Sequence, residues 1–194
     1  MGFRFTQTKI ADVVLVEPDT YGDDRGFFRE TYKRSAFLEG GLDREFVQAN
    51  FSRSAAGVIR GLHYQREPAA VGKLVGVARG RILDVAADIR AGSPTFGTWV
   101  GEELSAEDGR MLFVPEGFAH GFCALADDTL VTYLMTGEYS PEHDAGVRWD
   151  DPDLAVQWPV PDPILSAKDR ELPTLKELGA DAPASIGAHE EARP

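Results

Sequence analysis

Short apolar stretches separated by turn-forming residues run along the chain from about residue 10 to residue 165. Stretches of this kind, rich in β-branched and aromatic residues, are typical of β-strands. Seven are predicted as strands, at 13–16, 73–77, 81–89, 96–100, 111–114, 121–125 and 129–135. Pro18 ends the first, Gly80 joins the second to the third, and Asp127-Asp128 predict a hairpin turn between the last two. Closely spaced short strands indicate an all-β sandwich or small barrel.

Helical patterns are few. One short helix is predicted over 35–40, ending at Gly40-Gly41, and another over 168–178. Residues 179–194 carry no apolar period, so we expect a mobile or disordered C-terminal tail. A chain of 194 residues suits a single domain, which we assign to 1–178 because no repeat or linker divides it.

The charge of the chain limits its partners. The formal net charge is −12, and such a surface repels nucleic acid and anionic lipid, so neither is expected to bind. An anionic small molecule would therefore need a local basic cluster. The chain has no apolar run of the roughly 18–20 residues that a membrane helix needs. Residues 1–9 do not resemble a signal peptide, and the lone Cys123 fits a reducing compartment, so we expect a cytoplasmic protein.

A first histidine lies in the segment 57–65, which contains Arg60-Gly-Leu-His63-Tyr-Gln65. Side chains alternate between the two faces of a strand, so Arg60 and His63 share a face only if the strand bends. Gly57 and Gly61 would permit a bulge that bends it in this way. On spacing alone, a core histidine beside an exposed arginine is the stronger interpretation.

A second histidine follows Pro115 and Gly117, which predict a turn before a strand beginning at His120. The two histidine segments resemble the two motifs of cupins. In a metal-binding cupin the first motif has a second histidine and then a glutamate, whereas here Gln65 and Lys73 stand near those places. A divalent metal needs about three or four imidazole or anionic ligands, so no bound metal is expected.

Further motifs identify a particular family. Nine segments occur in one order, at 24–30, 48–52, 60–65, 73–75, 84–85, 93–97, 115–122, 139–141 and 166–169. Together they resemble dTDP-4-dehydrorhamnose 3,5-epimerases over about residues 5–175. The resemblance implies a cupin-type double-stranded β-helix, that is a jelly-roll barrel, with a few short peripheral helices. It also implies inversion at C3 and C5 of dTDP-4-dehydro-6-deoxy-D-glucose to give dTDP-4-dehydro-L-rhamnose, with no cofactor.

Both carbons adjoin the C4 ketone, so losing either proton forms an enolate. The resemblance implies a catalytic set of four residues: the base His63, its partner Asp169, the cation Lys73 and the acid Tyr133. Histidine suits the role of base because it can gain and lose a proton near neutral pH. Without the resemblance, Asp169 would be interpreted as a helix cap, Lys73 as an exposed strand lysine and Tyr133 as a barrel aromatic.

The resemblance also implies the substrate-binding residues. Cations at the ligand would be Arg25, Arg60 and Lys168, which supply the basic cluster that a pyrophosphate needs. Tyr139 matches the position that stacks on thymine. Asp144 stands where the family often has glutamate, and its side chain is one methylene shorter. The remaining positions implied to contact the ligand are Phe28, Glu30, Gln48, Asn50 and His120.

Two kinds of alternative stay open. Relatives that epimerise only C3 or only C5 share almost all of these residues, and a non-catalytic or metal-dependent cupin is a more distant possibility. The family is usually a homodimer in which an N-terminal strand completes the partner's sheet, and residues 3–16 have the β-forming composition for this. Arg25 and Glu30 would then be able to reach a neighbour's site.

Overall fold

The computed structural model describes residues 2–179 and 182–184. Over these residues the chain forms thirteen strands and three short helices. The strands are β1 Phe3–Gln7, β2 Val14–Pro18, β3 Thr20–Asp23, β4 Gly26–Arg29, β5 Gln48–Ser54, β6 Ile59–Gln65, β7 Lys73–Arg79, β8 Arg81–Asp88, β9 Trp99–Ser105, β10 Met111–Val114, β11 Phe118–Ala124, β12 Thr129–Met135 and β13 Asp144–Gly146. The helices are α1 Arg34–Glu39, α2 Ala167–Arg170 and α3 Leu175–Leu178.

Two antiparallel sheets face each other and form a cupin-type β-sandwich. The six-stranded sheet has the order β1-β2-β10-β7-β12-β5, and the five-stranded sheet has the order β13-β6-β11-β8-β9. Strands β3 and β4 form a separate hairpin. The main core cluster joins the two sheets, with Val75 and Val131 from one and Ala86 and Phe122 from the other, all fully buried. Burying these apolar faces against each other is what holds the layers together. The prediction of an all-β fold of the cupin type is confirmed.

Two predicted turns connect different sheets. Gly80, with φ of 78°, links β7 of the six-stranded sheet to β8 of the five-stranded sheet. The turn at Asp127-Asp128 takes the chain from β11 back to the six-stranded sheet, so the predicted hairpin is wrong. Asp127 Oδ1 instead accepts a hydrogen bond from the backbone of Ala56 at 3.0 Å. Turn residues reverse the chain locally and do not determine which strand is the partner.

Several predicted boundaries also shift. The strand predicted at 96–100 begins at Trp99, because the residues before it form turns around the buried Asp88 carboxylate. Ser93 and Thr95 donate to that carboxylate at 2.6 and 2.5 Å. His120 does not begin a strand but is the third residue of β11.

Pro173 divides the C-terminal helix that the sequence predicts over 168–178. The structure has two four-residue helices there, α2 and α3, so the single helix is wrong. Proline has no amide hydrogen and disfavours helical backbone at the residue before it. Thr174 then begins α3 with a capping box to Glu177. The helix predicted over 35–40 is confirmed as α1.

The described part of the C-terminal tail is short. The backbone amide of Ala91 donates to the oxygen of Pro183 at 2.7 Å, and Ala182 packs on a buried cluster that includes Val85 and Ile89. The mobility predicted for 179–194 otherwise concerns residues outside those described. No helix within 2–179 and 182–184 is both long enough and apolar enough to cross a membrane.

Candidate active site

One cavity of about 410 Å³ opens between the two sheets and gathers most of the predicted site residues. Ten of them line it: His63, Lys73, Tyr133, Asp169, Asn50, Arg60, His120, Tyr139, Asp144 and Lys168. They come from strands far apart in sequence and from the C-terminal helix α2, so their meeting depends on the fold.

The predicted bulge brings Arg60 and His63 to the same cavity. His63 pairs with His120 and Arg60 with Phe122, so three residue steps on β6 match two on β11. Gly61 and Leu62 therefore lie together opposite Gly121, and the φ of Gly61 is 127°. A Cβ added at Gly61 would lie 2.5 Å from the Cα of Gly121, so no side chain fits there.

His63 is held by a buried aspartate. Its Nε2 lies 2.6 Å from Oδ1 of Asp169, which is almost fully buried in α2. Burial pushes the pKa of Asp169 up, but hydrogen bonds and charge from His63, with help from Ser166, hold it below its usual value. Asp169 is therefore an ionised partner for the imidazole. The helix cap is Ser166, whose hydroxyl accepts from the Asp169 backbone, so the simpler interpretation of Asp169 as the cap is wrong.

Lys73 reaches this pair from the opposite sheet. Its Nζ donates to the backbone oxygen of His63 at 3.1 Å. Burial lowers the pKa of Lys73 to about 8, while the charges of Asp84 and Asp144 oppose that shift. The interpretation of Lys73 as an exposed strand lysine is wrong.

Tyr133 lies on β12 of the six-stranded sheet, across the sandwich from His63. Its hydroxyl is 2.9 Å from Oγ of Ser52. Burial raises the pKa of Tyr133 to about 12, so the phenol is protonated at neutral pH. The cavity thus has a histidine that can accept a proton on one wall and a neutral phenol that can donate one on the other.

A second histidine–aspartate pair lies beside the first. Nε2 of His120 is 2.8 Å from Oδ1 of Asp84, and both residues are buried. Burial lowers the pKa of His120, which favours the neutral ring despite the aspartate. Asp84 belongs to one of the family motifs, but the sequence assigned it no role. The sequence feature that could have pointed to a role for Asp84 is a carboxylate within the otherwise apolar strand Ile-Leu-Asp-Val-Ala-Ala.

The outer end of the cavity contains Tyr139, Asp144 and Lys168. Oδ2 of Asp144 accepts from the Tyr139 hydroxyl at 2.9 Å and also from Nζ of Lys168. Burial raises the pKa of Asp144, but these two partners bring it below its usual value. Asp144 is one methylene shorter than the glutamate often found in the family, and its carboxylate links Tyr139 to Lys168. Nearby, Nε of Arg60 donates to Oγ of Ser54 at 3.1 Å.

Four predicted residues do not line this cavity. Arg25 and Phe28 lie on the β3–β4 hairpin, Glu30 follows it, and the hairpin is largely exposed. Arg25 is paired with Asp23 at 2.5 Å within the hairpin. Gln48 contacts the cavity indirectly, since its Oε1 accepts from the backbone of Tyr139 at 2.9 Å.

Gln65 stands where a metal-binding cupin has a ligand histidine, and its side chain forms hydrogen bonds with backbone groups. Its Nε2 donates to the oxygens of Ala69 at 2.6 Å and Glu138 at 3.2 Å, and its Oε1 accepts from the amide of Ser140 at 2.7 Å. This side chain has no donor left for a further partner. Its role in linking these loops was not anticipated from the sequence.

The fold and the cavity together define a cupin-type β-sandwich with paired groups for taking up and releasing protons, which is the equipment of an epimerase. A family model described as dTDP-4-dehydrorhamnose 3,5-epimerase matches residues 7–177. The chain belongs to this family of isomerases.

Relatives agree with the family. The dTDP-4-dehydrorhamnose 3,5-epimerase of Methanothermobacter thermautotrophicus is 51% identical over 90% of this chain and 96% of the relative. A dTDP-4-dehydrorhamnose 3-epimerase of Streptomyces niveus is 39% identical over 90% of this chain and 84% of its own. Among solved structures, a 3,5-epimerase of Legionella pneumophila in complex with dTDP-4-keto-L-rhamnose is 43% identical with a TM-score of 0.91. That match covers 96% of this chain and 100% of the other.

Proposed function

We propose that the chain inverts both C3 and C5 of dTDP-4-dehydro-6-deoxy-D-glucose, giving dTDP-4-dehydro-L-rhamnose. The observation that carries the proposal is the arrangement of one cavity. The His63–Asp169 pair lies on one wall, and Lys73 and Tyr133 come from the opposite sheet. Inverting a carbon beside a ketone requires proton removal from one face and proton return from the other, so groups on opposite walls suit it.

His63 removes the proton. Asp169 accepts from Nε2, which leaves Nδ1 as the nitrogen that takes up the substrate proton. The ionised carboxylate then stabilises the imidazolium that forms, as the acid of a catalytic triad does. Its burial keeps this stabilisation from being screened by water.

Lys73 stabilises the enolate. Removing either proton places negative charge on the C4 oxygen, and a fixed cation in a water-poor cavity lowers the energy of that charge most effectively. Because its pKa lies at about 8, Lys73 is mostly protonated at neutral pH. The Asp84 charge supports that protonated state.

Tyr133 returns a proton from the opposite wall. A phenol with its pKa raised to about 12 is fully protonated and is able to donate to a carbanion carbon. Ser52, at 2.9 Å from the phenol oxygen, orients the hydroxyl. After the first inversion His63 holds the abstracted proton and Tyr133 is a phenolate. His63 then releases that proton to water and Tyr133 regains one from water, after which the two steps repeat at the second carbon, on the other side of the same ketone.

The nucleotide is held at the outer end of the cavity. Lys168 and Arg60 supply positive charge for the pyrophosphate, in a chain whose net charge is −12. Tyr139 is 53% exposed beside them and offers its ring to thymine. His120 and Asn50 contribute polar contacts to the sugar.

We also infer a homodimer in which the β3–β4 hairpin reaches the partner's cavity. The support is the exposure of Phe27 at 65% and Phe28 at 59%, together with the position of Arg25 outside its own cavity. Consecutive residues of a strand point to opposite faces, so the hairpin exposes a large apolar ring on each face, and exposed apolar surface marks contact sites. Arg25, Phe28 and Glu30 would then contact ligand across the interface.

A second candidate is epimerisation at C3 alone, favoured by the 39% identity to the Streptomyces niveus 3-epimerase. The two are separated by incubating the enzyme with dTDP-4-dehydro-6-deoxyglucose in D2O and recording proton NMR spectra of substrate and product. We expect deuterium at both C3 and C5 and inversion at both. Label at C3 alone would establish the single epimerase, and no label at either carbon would refute both.

A further inference from the structure

Gln65 uses all of its hydrogen-bond donors on the backbone of two loops. It ends β6 two residues after His63 and is 5% exposed. Its Nε2 donates to the oxygens of Ala69 at 2.6 Å and Glu138 at 3.2 Å, and its Oε1 accepts from the amide of Ser140 at 2.7 Å. A buried amide satisfied in this way is costly to replace, because each loss leaves a buried backbone group without a partner.

The two loops lead to different parts of the cavity. Loop 66–72 follows Gln65 and ends at Lys73, whereas loop 136–143 joins β12 to β13 and carries Tyr139. A second bond joins the same loops, from the amide of Gly72 to Oγ1 of Thr136 at 2.7 Å. Gln65 thus connects β6, the strand that carries His63, to the loop that carries Tyr139.

The backbone around Tyr139 is held on both sides. Gln65 binds the oxygen of Glu138 and the amide of Ser140, and Oε1 of Gln48 accepts from the amide of Tyr139 itself at 2.9 Å. Three successive residues are therefore fixed by two glutamine side chains from β6 and β5. Since Tyr139 is half exposed and its hydroxyl is held at one point, by Asp144 at 2.9 Å, the fixed backbone adds a second restraint on where the ring lies.

We propose that Gln65 is a positioning residue. It holds Tyr139 where its ring can stack on the thymine of the nucleotide while the sugar lies against His63. The inference rests on the proposed function and deepens it. Gln65 moves no proton. It sets the distance between Tyr139 and β6, the strand that carries His63, so its effect is on binding of the dTDP moiety.

The chemistry of the three bonds explains why glutamine stands here. Two carbonyl oxygens need two donors and one amide hydrogen needs an acceptor, and a primary amide supplies all three from one side chain. Ionised glutamate has the same shape but would place a carboxylate against two carbonyl oxygens. Methionine has nearly the same length and makes none of the three bonds.

The test compares Gln65→Glu and Gln65→Met with the same two changes at Gln157. The Gln157 amide is exposed, lies outside the cavity and makes one bond, to the oxygen of Ala155 at 2.9 Å. We expect both Gln65 variants to raise the KM for dTDP-4-dehydro-6-deoxyglucose and the Kd for dTDP about tenfold or more. We expect kcat to stay within about twofold, since no group in proton transfer has changed. The Gln157 variants should match the wild type.

Two further readouts separate positioning from general damage. Acid should restore part of the affinity of Gln65→Glu, because a protonated carboxyl regains one donor, while Gln65→Met should not respond to pH in this way. In a Tyr139→Ala background, either Gln65 change should add little further loss in dTDP affinity, because the ring it positions is gone.

Several outcomes would overturn the inference. These are an unchanged Kd in a folded Gln65 variant, a fall in kcat without a rise in KM, or losses that add fully in the Tyr139→Ala background. If Gln65→Glu does not fold, Gln65→Met decides the question alone. A wild-type chain that neither binds dTDP nor turns over the sugar would instead refute the proposed function, so the two failures are distinguishable.

Discussion

His63 and His120 face each other across two neighbouring antiparallel strands, and each presents Nε2 to a buried aspartate. They differ in access to water, since the side chain of His63 is 30% exposed and that of His120 is 4% exposed. The partly exposed His63 ring is accessible from the cavity, whereas burial lowers the pKa of His120 and favours its neutral ring. Of these two facing histidines, His63 is thus the candidate base and His120 is a neutral polar contact.

Replacing His63 by alanine should stop proton removal at both carbons. We expect His63→Ala to lower deuterium exchange at C3 and C5 by about 10³-fold or more, because the other histidine at that wall, His120, is buried and its lowered pKa makes it a weaker base. NMR in D2O measures the exchange. Calorimetry with dTDP is the control and should give an unchanged Kd. Retained turnover would remove His63 from the role of base.

Replacing Tyr133 by phenylalanine should separate the two proton transfers. We expect Tyr133→Phe to lower product formation about 10²-fold while deuterium still enters the substrate without inversion, because His63 can return a deuteron to its own face. Tyr32→Phe is the matched control, since Tyr32 packs in an aromatic cluster with Phe37 and Phe46 and does not line the cavity. Unchanged product formation in Tyr133→Phe would mean that another acid acts.

Replacing Asp84 by asparagine should move the alkaline limb of the pH–rate profile. The Lys73 pKa lies at about 8, with Asp84 and Asp144 raising it and Lys168 lowering it. Activity that needs protonated Lys73 falls as pH rises through that value, and loss of the Asp84 charge lowers the pKa further. We therefore expect the limb of kcat/KM to shift to lower pH in Asp84→Asn.

The control for this shift is another buried carboxylate. Asp88 binds Arg90 and Thr95 away from the cavity, so Asp88→Asn should lower stability without moving the limb. An Asp84→Asn enzyme with the wild-type profile would show that the Asp84 charge does not govern Lys73.

Mixing two inactive variants tests the exchange of hairpins between subunits. Arg25→Ala removes a cation on the hairpin and His63→Ala removes the base of the cavity. If the hairpin acts in the partner's site, each mixed dimer keeps one intact site, and equal mixing after subunit exchange should restore about a quarter of wild-type activity. Activity no higher than the sum of the separate variants would place Arg25 elsewhere.

Gly61→Ala should be strongly destabilising. The added Cβ would lie 2.5 Å from the Gly121 Cα, in backbone at φ of 127°, and we expect a loss of about 3 kcal/mol or more in the free energy of unfolding. Gly57→Ala is the matched control, since Gly57 also has positive φ but nothing lies within 4 Å of its added Cβ. Its loss should be about 1–2 kcal/mol. Urea unfolding measures both, and equal losses would contradict the close contact.

The resemblance carried by the ordered motifs predicted a catalytic set of His63, Lys73, Tyr133 and Asp169, and the fold brings these four residues to one cavity. Arg60 and His63 could share a face only through a bulge, and Gly57 and Gly61 indicated where it would lie. The sequence left Gln65 as a missing metal ligand, however, and assigned no role to Asp84. Apart from Ala69, which follows Gln65 closely, their partners lie at residues 120, 138 and 140, and no local pattern reports such distant contacts.

The sequence by itself determined the all-β class, the positions of most strands and the residue types available for proton transfer. These follow from short-range alternation and turn chemistry, which act between neighbours along the chain. Only the tertiary structure decided that Gly80 and Asp128 carry the chain between sheets, and that His63 and Tyr133 belong to opposite walls. It also placed Arg25 and Phe28 outside the lining of the cavity in their own chain. Those relationships depend on which apolar faces bury each other, a choice made by packing over the whole domain.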